Sequence, residues 1–404
     1  MKKVSVIGAG FAGLTVALQL AKKGFAVDLY EGSSRVGGLL GTESSPYGLA
    51  EHAANALIRT EKSDELFREL GLSAHLPLES SKKRFIFRDH PRTWPLRLTE
   101  TLTLITKVLP RLLRGKKSLQ PQKGQTLQEW GTATLGESAT RFILGPAMQG
   151  IYGNDIHELS ASLILGPVFS KKKKSRYKGL LTGRNGMQEL IDALEKKLRD
   201  LRVTIHLNSK VKVSDVSGPV VIATSASAAG KILEETQSAL AQTLQKIRMS
   251  SLLSVTLFFD KAQNDYQGFG CLIPRGYGLK SLGVLMNSYI FAHRNKFYNE
   301  TWILGGAAEE SLLDLSDSEL LELLHKERLR ILGNATAPCH SHIQRWKSSL
   351  PFYDLTLEKV LEELKSQPLP ENLYLHGNYL GGIGLSKILE RSHELAEEIA
   401  SRHG

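Results

Sequence analysis

The sequence of 404 residues predicts an α/β protein: a parallel sheet with helices on its faces, joined to a β-rich part and a helical part. Three stretches carry that reading. Residues 4–31 run strand, glycine-rich turn, helix, strand and acid in order. Residues 251–259 and 268–285 read as β-rich, and apolar residues at 98, 102, 105, 109 and 112 repeat with the period of one helix face.

Residues 4–7 form a short apolar run that reads as a buried parallel strand. It leads into Gly8-Ala9-Gly10-Phe11-Ala12-Gly13, and residues 14–23 then have helical periodicity. Gly8 permits the tight turn, Gly10 lets the backbone approach a pyrophosphate, and Gly13 lets the helix pack close to the strand. The helix N-terminus offers free N–H groups and a positive dipole end to phosphates. A second strand, residues 26–30, ends in Glu31, near the spacing of an acid that binds a ribose hydroxyl. Glycine-rich turns are common; the full ordered series makes this a Rossmann-like dinucleotide-binding unit. Arg35-Val36-Gly37-Gly38 then completes E-x-x-x-R-x-G-G. NAD dehydrogenases have no need of that arrangement. In two-dinucleotide flavoproteins the glycine pair lets the chain pass close to the cofactor, and the arginine can address the phosphates. The cofactor expected is FAD, held non-covalently.

Residues 64–70 read as a short helix closed by Gly71, and residues 84–88 alternate like a strand. Pro110 should kink or divide the helix over 98–113. Arg97, Lys107, Arg111, Arg114, Lys116 and Lys117 surround that helix, which makes it a basic amphipathic unit. Residues 118–125 are linker-like, and 127–135 and 137–144 look helical. The lysines at 171–174, with Arg176 and Lys178, form the densest charge run. It suits a solvated loop, a membrane surface or an acidic ligand, but lacks the interleaved aromatics of a nucleic-acid site. Further on, 186–198 reads as a helix, 203–207, 210–213 and 220–224 as strands, and 251–259, 268–285 and 301–306 as β-rich. A helix over 316–331 has Ser316 as its N-cap.

The C-terminal end repeats the chemistry of the N-terminal one. Residues 373–378 form a strand ending in Gly377-Asn378, and after Gly381-Gly382-Ile383-Gly384-Leu385 a helix runs over about 386–401. Hydride arriving at flavin N5 leaves negative charge at the N1–C2 edge, and a helix N-terminus aimed there stabilises it. His376, at a strand end, is of the structural kind more often than the catalytic.

Composition sets the limits. With 41% hydrophobic and 23% charged residues the chain can bury a substantial core over two or three domains. The net charge of +11 favours anionic partners without bearing on fold. Only Cys271 and Cys339 are present, so a disulfide framework or CxxC motif is excluded and a reducing, cytoplasmic compartment is expected. The N-terminus enters a strand too soon for a signal peptide, and no run approaches the ~18 apolar residues of a membrane span. No nucleophilic triad or metal-ligand cluster stands out.

Three stretches beyond the flavin motifs carry a family resemblance. They are Pro146-Ala-Met-Gln-Gly-Ile-Tyr-Gly-Asn-Asp155 with Glu158-Leu-Ser160, Gly268-Phe-Gly-Cys-Leu-Ile-Pro-Arg275 followed by Leu282-Gly-Val-Leu, and Gly377-Asn-Tyr-Leu-Gly-Gly-Ile-Gly384. Over nearly its whole length the chain resembles the flavin-dependent protoporphyrinogen oxidases of the amine oxidase and phytoene desaturase superfamily. The resemblance implies an FAD-binding domain from 1–70, 180–240 and 370–404, a substrate-binding domain from 71–95 and 245–350, and a helical, membrane-facing domain over 96–170. It implies oxidation of protoporphyrinogen IX to protoporphyrin IX, three hydride transfers to flavin N5 each with loss of an N–H proton, in haem biosynthesis, with oxygen or another electron acceptor. No side chain need be catalytic, since the flavin carries the chemistry.

Carried over by position, Gly8 to Gly13, Glu31, Gly32, Arg35, Gly37, Gly38, Leu39, Val211, Gly377, Asn378, Ile383, Gly384 and Leu385 would hold the cofactor. Arg84 would pair with a substrate propionate, unless it is a plain surface arginine. Gly270, Leu272 and Ile303 would pack on the macrocycle, or else belong to ordinary core. The expected partners are the tetrapyrrole, an anionic membrane touched peripherally from the cytoplasmic side, and a second copy in a homodimer, with no nucleic acid and no metal. Two departures stand out. Glu51-His-Ala-Ala-Asn55 lacks the Gly-Pro usual after the acid, and Ser386-Lys387 replaces Pro-Asp at the last helix. A coproporphyrinogen III oxidase, a flavin amine oxidase or carotenoid desaturase, and a non-catalytic FAD protein remain open alternatives.

Overall fold

The computed structural model describes residues 2–170, 177–261, 265–334 and 336–404. The charge run at 171–176 therefore lies outside the described residues, and only Lys178 of that group is seen, exposed.

Five parallel strands form the first sheet, in the order Leu373–Leu375, Val220–Ile222, Lys3–Ile7, Ala26–Tyr30, Thr204–His206. The strand Lys3–Ile7 is thus central, with Ser5 opposite Val220 on one side and Asp28 on the other. Val4 and Val6 are fully buried, as expected of a strand covered on both faces. The helix Phe11–Lys22 packs between that sheet, Met187–Asp200 and the terminal helix Leu385–His403. Leu14, Val16, Leu18, Leu190, Leu194, Leu389 and Ile399 interlock there with no exposed surface. The Thr15 and Ser392 hydroxyls meet at 2.8 Å across the two helices.

The alternating residues 210–213 do not form the expected strand. Thr204–His206 already holds the edge of the sheet, so no neighbouring strand is there to satisfy a further one. The chain instead makes a single 3-10 turn over Val213–Asp215, closed by the Asp215 carboxylate on the Lys212 N–H.

The second sheet has seven strands, in the order His340–Pro351, Met249–Phe259, Tyr298–Gly305, Ser281–Leu285, Gly270–Leu272, Phe85–Arg88, His90–Arg92. All pairs are antiparallel except Gly270–Leu272 with Phe85–Arg88. One face is closed by the helix Asp317–Leu332, with Ser316 as its N-cap. Under that helix Glu300 and Arg328 form a fully buried ion pair at 2.9 Å.

Between the sheets lies the helical part: Leu98–Leu113, Leu127–Thr134, Glu137–Ala139, Gly145–Tyr152 and Ala161–Ser170, with a π-helical turn over Thr140–Leu144 in place of one continuous helix. Pro110 does not divide Leu98–Leu113. It sits three residues before the helix end on the exposed side, where water replaces the single backbone bond it removes. The orientation of this helix is the reverse of an ordinary surface helix. None of its residues is buried, and Leu102, Ile105, Leu109 and Leu112 are each about half exposed. Lys107 and Arg111 point inward instead, donating to the Thr132 and Ala133 carbonyls at 3.2 and 3.1 Å. Among the described residues no helix is long and apolar enough to cross a membrane.

Candidate functional site

The three glycines of the first turn occupy three different environments. Gly8 has φ +102°, and a Cβ there would lie 2.8 Å from the Ala223 carbonyl oxygen. At Gly13 a Cβ would lie 1.7 Å from the Gly8 oxygen, so only glycine lets the helix sit this close. Gly10, the N-cap of Phe11–Lys22, faces open space: its Cβ would meet only the Gly38 Cα, at 3.9 Å. Gly37 donates to the Ala9 carbonyl at 2.8 Å and bridges to Gly10, so the two glycine loops form one wall. Gly37 and Gly38 both have positive φ, which their side-chain-free backbone accepts readily.

Glu31 is fixed by three donors. Oε2 accepts the Ala9 N–H at 2.8 Å, and Oε1 accepts from the N–H and hydroxyl of Ser33 at 2.9 Å. The Ser209 N–H donates to the Glu31 carbonyl, which carries Lys210 and half-buried Val211 up to Gly32. The Arg35 guanidinium donates to the carbonyls of Val36, Gly38 and Leu40, clamping its own loop and half-buried Leu39 within it.

The C-terminal segment arrives beside this wall because Leu373–Leu375 pairs with Val220–Ile222. His376 is fully buried, with Nε2 2.8 Å from the Ser392 hydroxyl. Burial, helped by the nearby Arg391 cation, pushes its pKa down to about 3, so it is a neutral structural ring. Asn378 gives its carbonyl to the Tyr353 hydroxyl at 2.7 Å. Ile383 and Gly384 lead into Leu385–His403, and a Cβ at Gly384, the N-cap, would touch nothing within 4 Å. Ser386, in place of the usual proline, bonds the Ile58 carbonyl, and Lys387 pairs with Glu390. Two helix N-termini are thus each capped by a glycine with open space before it, and the Glu31 carboxylate is held beside the first.

The loop that lacks Gly-Pro has its own support. The buried Glu51 pairs with Arg294, accepts from the Thr42 hydroxyl and takes the first N–H of Met187–Asp200. Asn55 then starts a chain of hydrogen bonds through Asn287 and Thr301 to Thr256, which ties this loop to the second sheet.

On that sheet, strand register places Ile86, Leu272, Gly283, Ile303, Ser254 and Gln344 in one row across six strands, on one face. At Gly283 a Cβ would lie 3.0 Å from the Cys271 carbonyl oxygen and 3.5 Å from Leu272 Cδ2, so Leu272 lies alongside the glycine and also against Gly150; Leu272 and Ile303 are both partly exposed. Gly270 takes φ +158°, and a Cβ there would strike the Val284 carbonyl, so its glycine is demanded by strand packing. Arg84 is exposed, lies over the Phe269 ring at 4.8 Å, and has no acid partner among the described residues. The face is turned toward the nucleotide-side loops: the Trp346 indole donates to the His52 carbonyl at 2.7 Å.

Residues 11–383 match the model of the flavin containing amine oxidoreductases. The chain belongs to that family. Among this flavoprotein's relatives, the mitochondrial protoporphyrinogen oxidase of Nicotiana tabacum is 26% identical, over 99% of this chain and 95% of that protein. The coproporphyrinogen III oxidase of Bacillus subtilis (strain 168) is 23% identical, over 96% of each. The structure of cyclohexylamine oxidase from Brevibacterium oxydans IH-35A superimposes with a TM-score of 0.74 at 16% identity, covering 99% of both chains.

A flavin oxidoreductase needs a cradle for the cofactor's phosphates and ring and a dry face for its substrate. The open backbone at Gly10 and Gly384, the two helix N-termini and the held Glu31 carboxylate fit a flavin dinucleotide. The glycine, arginine and C-terminal residues read from the sequence are brought together at that wall, whereas Gly270, Leu272 and Ile303 sit across from it on the sheet and Arg84 at the sheet's edge. Sequence reasoning missed His52, His342, Ser254 and the Glu51–Arg294 pair. The altered loop pointed toward His52 and Glu51, but nothing local in the sequence marks His342 or Ser254.

Proposed function

We propose that this flavoprotein binds FAD and oxidises a porphyrinogen to the porphyrin, protoporphyrinogen IX to protoporphyrin IX, as a step of haem biosynthesis. The observation that carries the reading is the row Leu272–Gly283–Ile303: a partly exposed apolar strip on the sheet face whose Trp346 meets the loop at His52, suited to a planar macrocycle. Full-length similarity to protoporphyrinogen and coproporphyrinogen oxidases supports it.

In this reading the N–H groups at Gly10–Phe11 would hold the pyrophosphate, with Ala9, Ala12 and Gly13 shaping the turn behind them. Glu31 and Gly32 would hold the ribose, Val211 the adenine side, and the Gly37–Leu39 and Gly377–Asn378 loops the rest of the cofactor. Flavin, once bound, supplies a two-electron acceptor for hydride. The chain's contribution is placement: Gly384 and Leu385 aim a helix dipole at the edge where charge develops, and the sheet face excludes water and holds the ring system flat. Arg84, with no acid partner among the described residues, offers its guanidinium to a carboxylate at the rim. The outward apolar stripe of Leu98–Leu113, with exposed Arg97, Arg114 and Lys117 at its ends, is a surface for an anionic membrane.

Anaerobic mixing with protoporphyrinogen IX should bleach the flavin band near roughly 450 nm while porphyrin fluorescence rises. Faster bleaching by coproporphyrinogen III would reassign the side-chain preference. Bleaching by amines alone would move the protein to the amine oxidases, and no bleaching by any donor would make it a non-catalytic flavoprotein.

A further inference from the structure

Three buried polar atoms lie on or against the sheet face that carries Leu272 and Ile303, and none has a hydrogen-bond partner among the described residues: Nδ1 of His52, Nε2 of His342 and Oγ of Ser254. Buried polar atoms are nearly always paired, and the exceptions gather where a ligand or a reaction step meets them. Strand register shows the arrangement. His342 lies opposite Thr256, and Ser254, two residues away and on the same face, lies opposite Ile303.

His52 reaches this face from the other side. Its ring stacks on His342 with centroids 5.4 Å apart and planes 12° from parallel. Gly41, which ends the glycine-rich loop clamped by Arg35, lies against the same ring: a Cβ there would be 2.4 Å from Nδ1. The histidine pair therefore spans the space between the dinucleotide wall and the substrate row.

Both imidazoles are held below their usual range, first by burial. His342 and Arg35 add like-charge repulsion at His52, and His340 adds it at His342, while Glu43 opposes the shift at both. Glu51 and Arg294, the other charged pair near His52, are occupied with each other. At neutral pH each ring is therefore uncharged and offers a lone pair.

We propose that His52 accepts the N–H proton released in each oxidation step and that His342 positions its ring, an assignment that rests on the porphyrinogen reading above. In each step the substrate's C–H bond breaks and hydride leaves with both electrons to the flavin. The N–H bond breaks, its electrons are taken up as the ring closes a C=N bond, and the proton passes to the imidazole, which returns it to solvent before the next step. After the third step the one remaining CH2 bridge gives a proton to a ring nitrogen, and this tautomer is the porphyrin with its two N–H groups. Ser254 Oγ, in the row with Ile303, is placed to hold a polar edge of the ring system. His52 is thus the catalytic residue of the pair and His342 a positioning residue.

The test uses the FAD-loaded enzyme, mixed anaerobically with protoporphyrinogen IX across the pH range. The wild-type bleaching rate should fall on the acid side with an apparent pKa below the ordinary imidazole value. His52→Gln should keep its bound FAD and its Tm, lose roughly 10²-fold or more in rate, and lose that acid limb. His342→Phe keeps a stacked ring without its charge, so the acid limb should move to higher pH with KM little changed. Histidine ring NMR of the same FAD-loaded proteins, without substrate, gives a second readout: His52 should titrate below the ordinary value and shift upward in His342→Phe. A bleaching wild type with an indifferent His52→Gln, or a His52 that titrates at or above the ordinary value, overturns this proposal alone. A wild type that no porphyrinogen bleaches refutes it together with the porphyrinogen reading.

Discussion

Replacing Gly10 by alanine separates the cost of cofactor approach from the cost of folding. The backbone at Gly10 has φ −67° and ψ 178°, which any residue adopts, and the added methyl would find only the Gly38 Cα at 3.9 Å. As an N-cap, alanine is poorer than glycine by about 0.5–1 kcal/mol, so the cofactor-free protein should melt within a few degrees of wild type. If a pyrophosphate lies against this backbone, the same methyl intrudes by about one bond length into a close contact. Overpacking of that kind costs about 1–3 kcal/mol. That corresponds to a roughly 5- to 150-fold weaker Kd for FAD. The assay is titration of FAD into cofactor-free protein by flavin fluorescence, with thermal melts of the same samples. A Kd within about twofold of wild type at an unchanged Tm would refute the placement of the phosphates at Gly10. A loss of affinity matched by collapse of the cofactor-free Tm would mean that the residue serves folding. Gly13→Ala is the contrast, since its methyl would lie 1.7 Å from the Gly8 oxygen and should unfold the turn with or without FAD.

Three further outcomes follow from the geometry. Arg88 donates to Glu100 at 2.6 and 3.0 Å and, as the main cause, holds its carboxyl down to about 2. The folded pKa is depressed, so this stabilisation is present above the ordinary carboxylate value and is lost as pH falls through about 2. Glu100→Gln should remove at most about 3 kcal/mol at neutral pH and flatten the acid-denaturation curve in that window; an unchanged curve would refute the linkage. Arg84→Ala should raise KM for the porphyrinogen and leave bound FAD intact, and an unchanged KM would retire its role at the propionate. Leu102→Ser with Ile105→Ser should weaken binding to anionic vesicles without lowering Tm, because neither side chain is buried, and the wild-type binding should weaken as salt rises. Salt-independent binding, or none, would remove the membrane assignment.

Much of this architecture was legible in the sequence because it depends on local backbone demands. The strand–Gly8-x-Gly10-x-x-Gly13–helix unit, the Ser316 cap and the Gly384-led helix each declare themselves within a few residues. Tertiary context decided the rest. His340–Pro351 alternates His342, Gln344 and Trp346 with Ile343 and Arg345, so neither face reads as apolar, and its pairing with Met249–Phe259 alone makes it a strand. Residues 210–213 show the converse, good alternation with no partner. The apolar stripe of Leu98–Leu113 was plain from its period, but period cannot tell an inward face from an outward one. Within the site, residues fixed by glycine geometry were readable, whereas His52 and His342 meet only through the fold.

The position of the first strand at the centre of its sheet has a consequence for biogenesis. During synthesis Lys3–Ile7 waits for Val220–Ile222, and that strand's outer edge stays unprotected until residues 373–375 emerge. The helix Phe11–Lys22 likewise lacks its cover until Leu385–His403 has been made, and the Lys2 ammonium then closes on the carbonyl of Gly404 at 2.6 Å. The core around the first helix therefore closes late, and nascent chains stopped short of Leu385–His403 should be as protease-sensitive as unfolded ones.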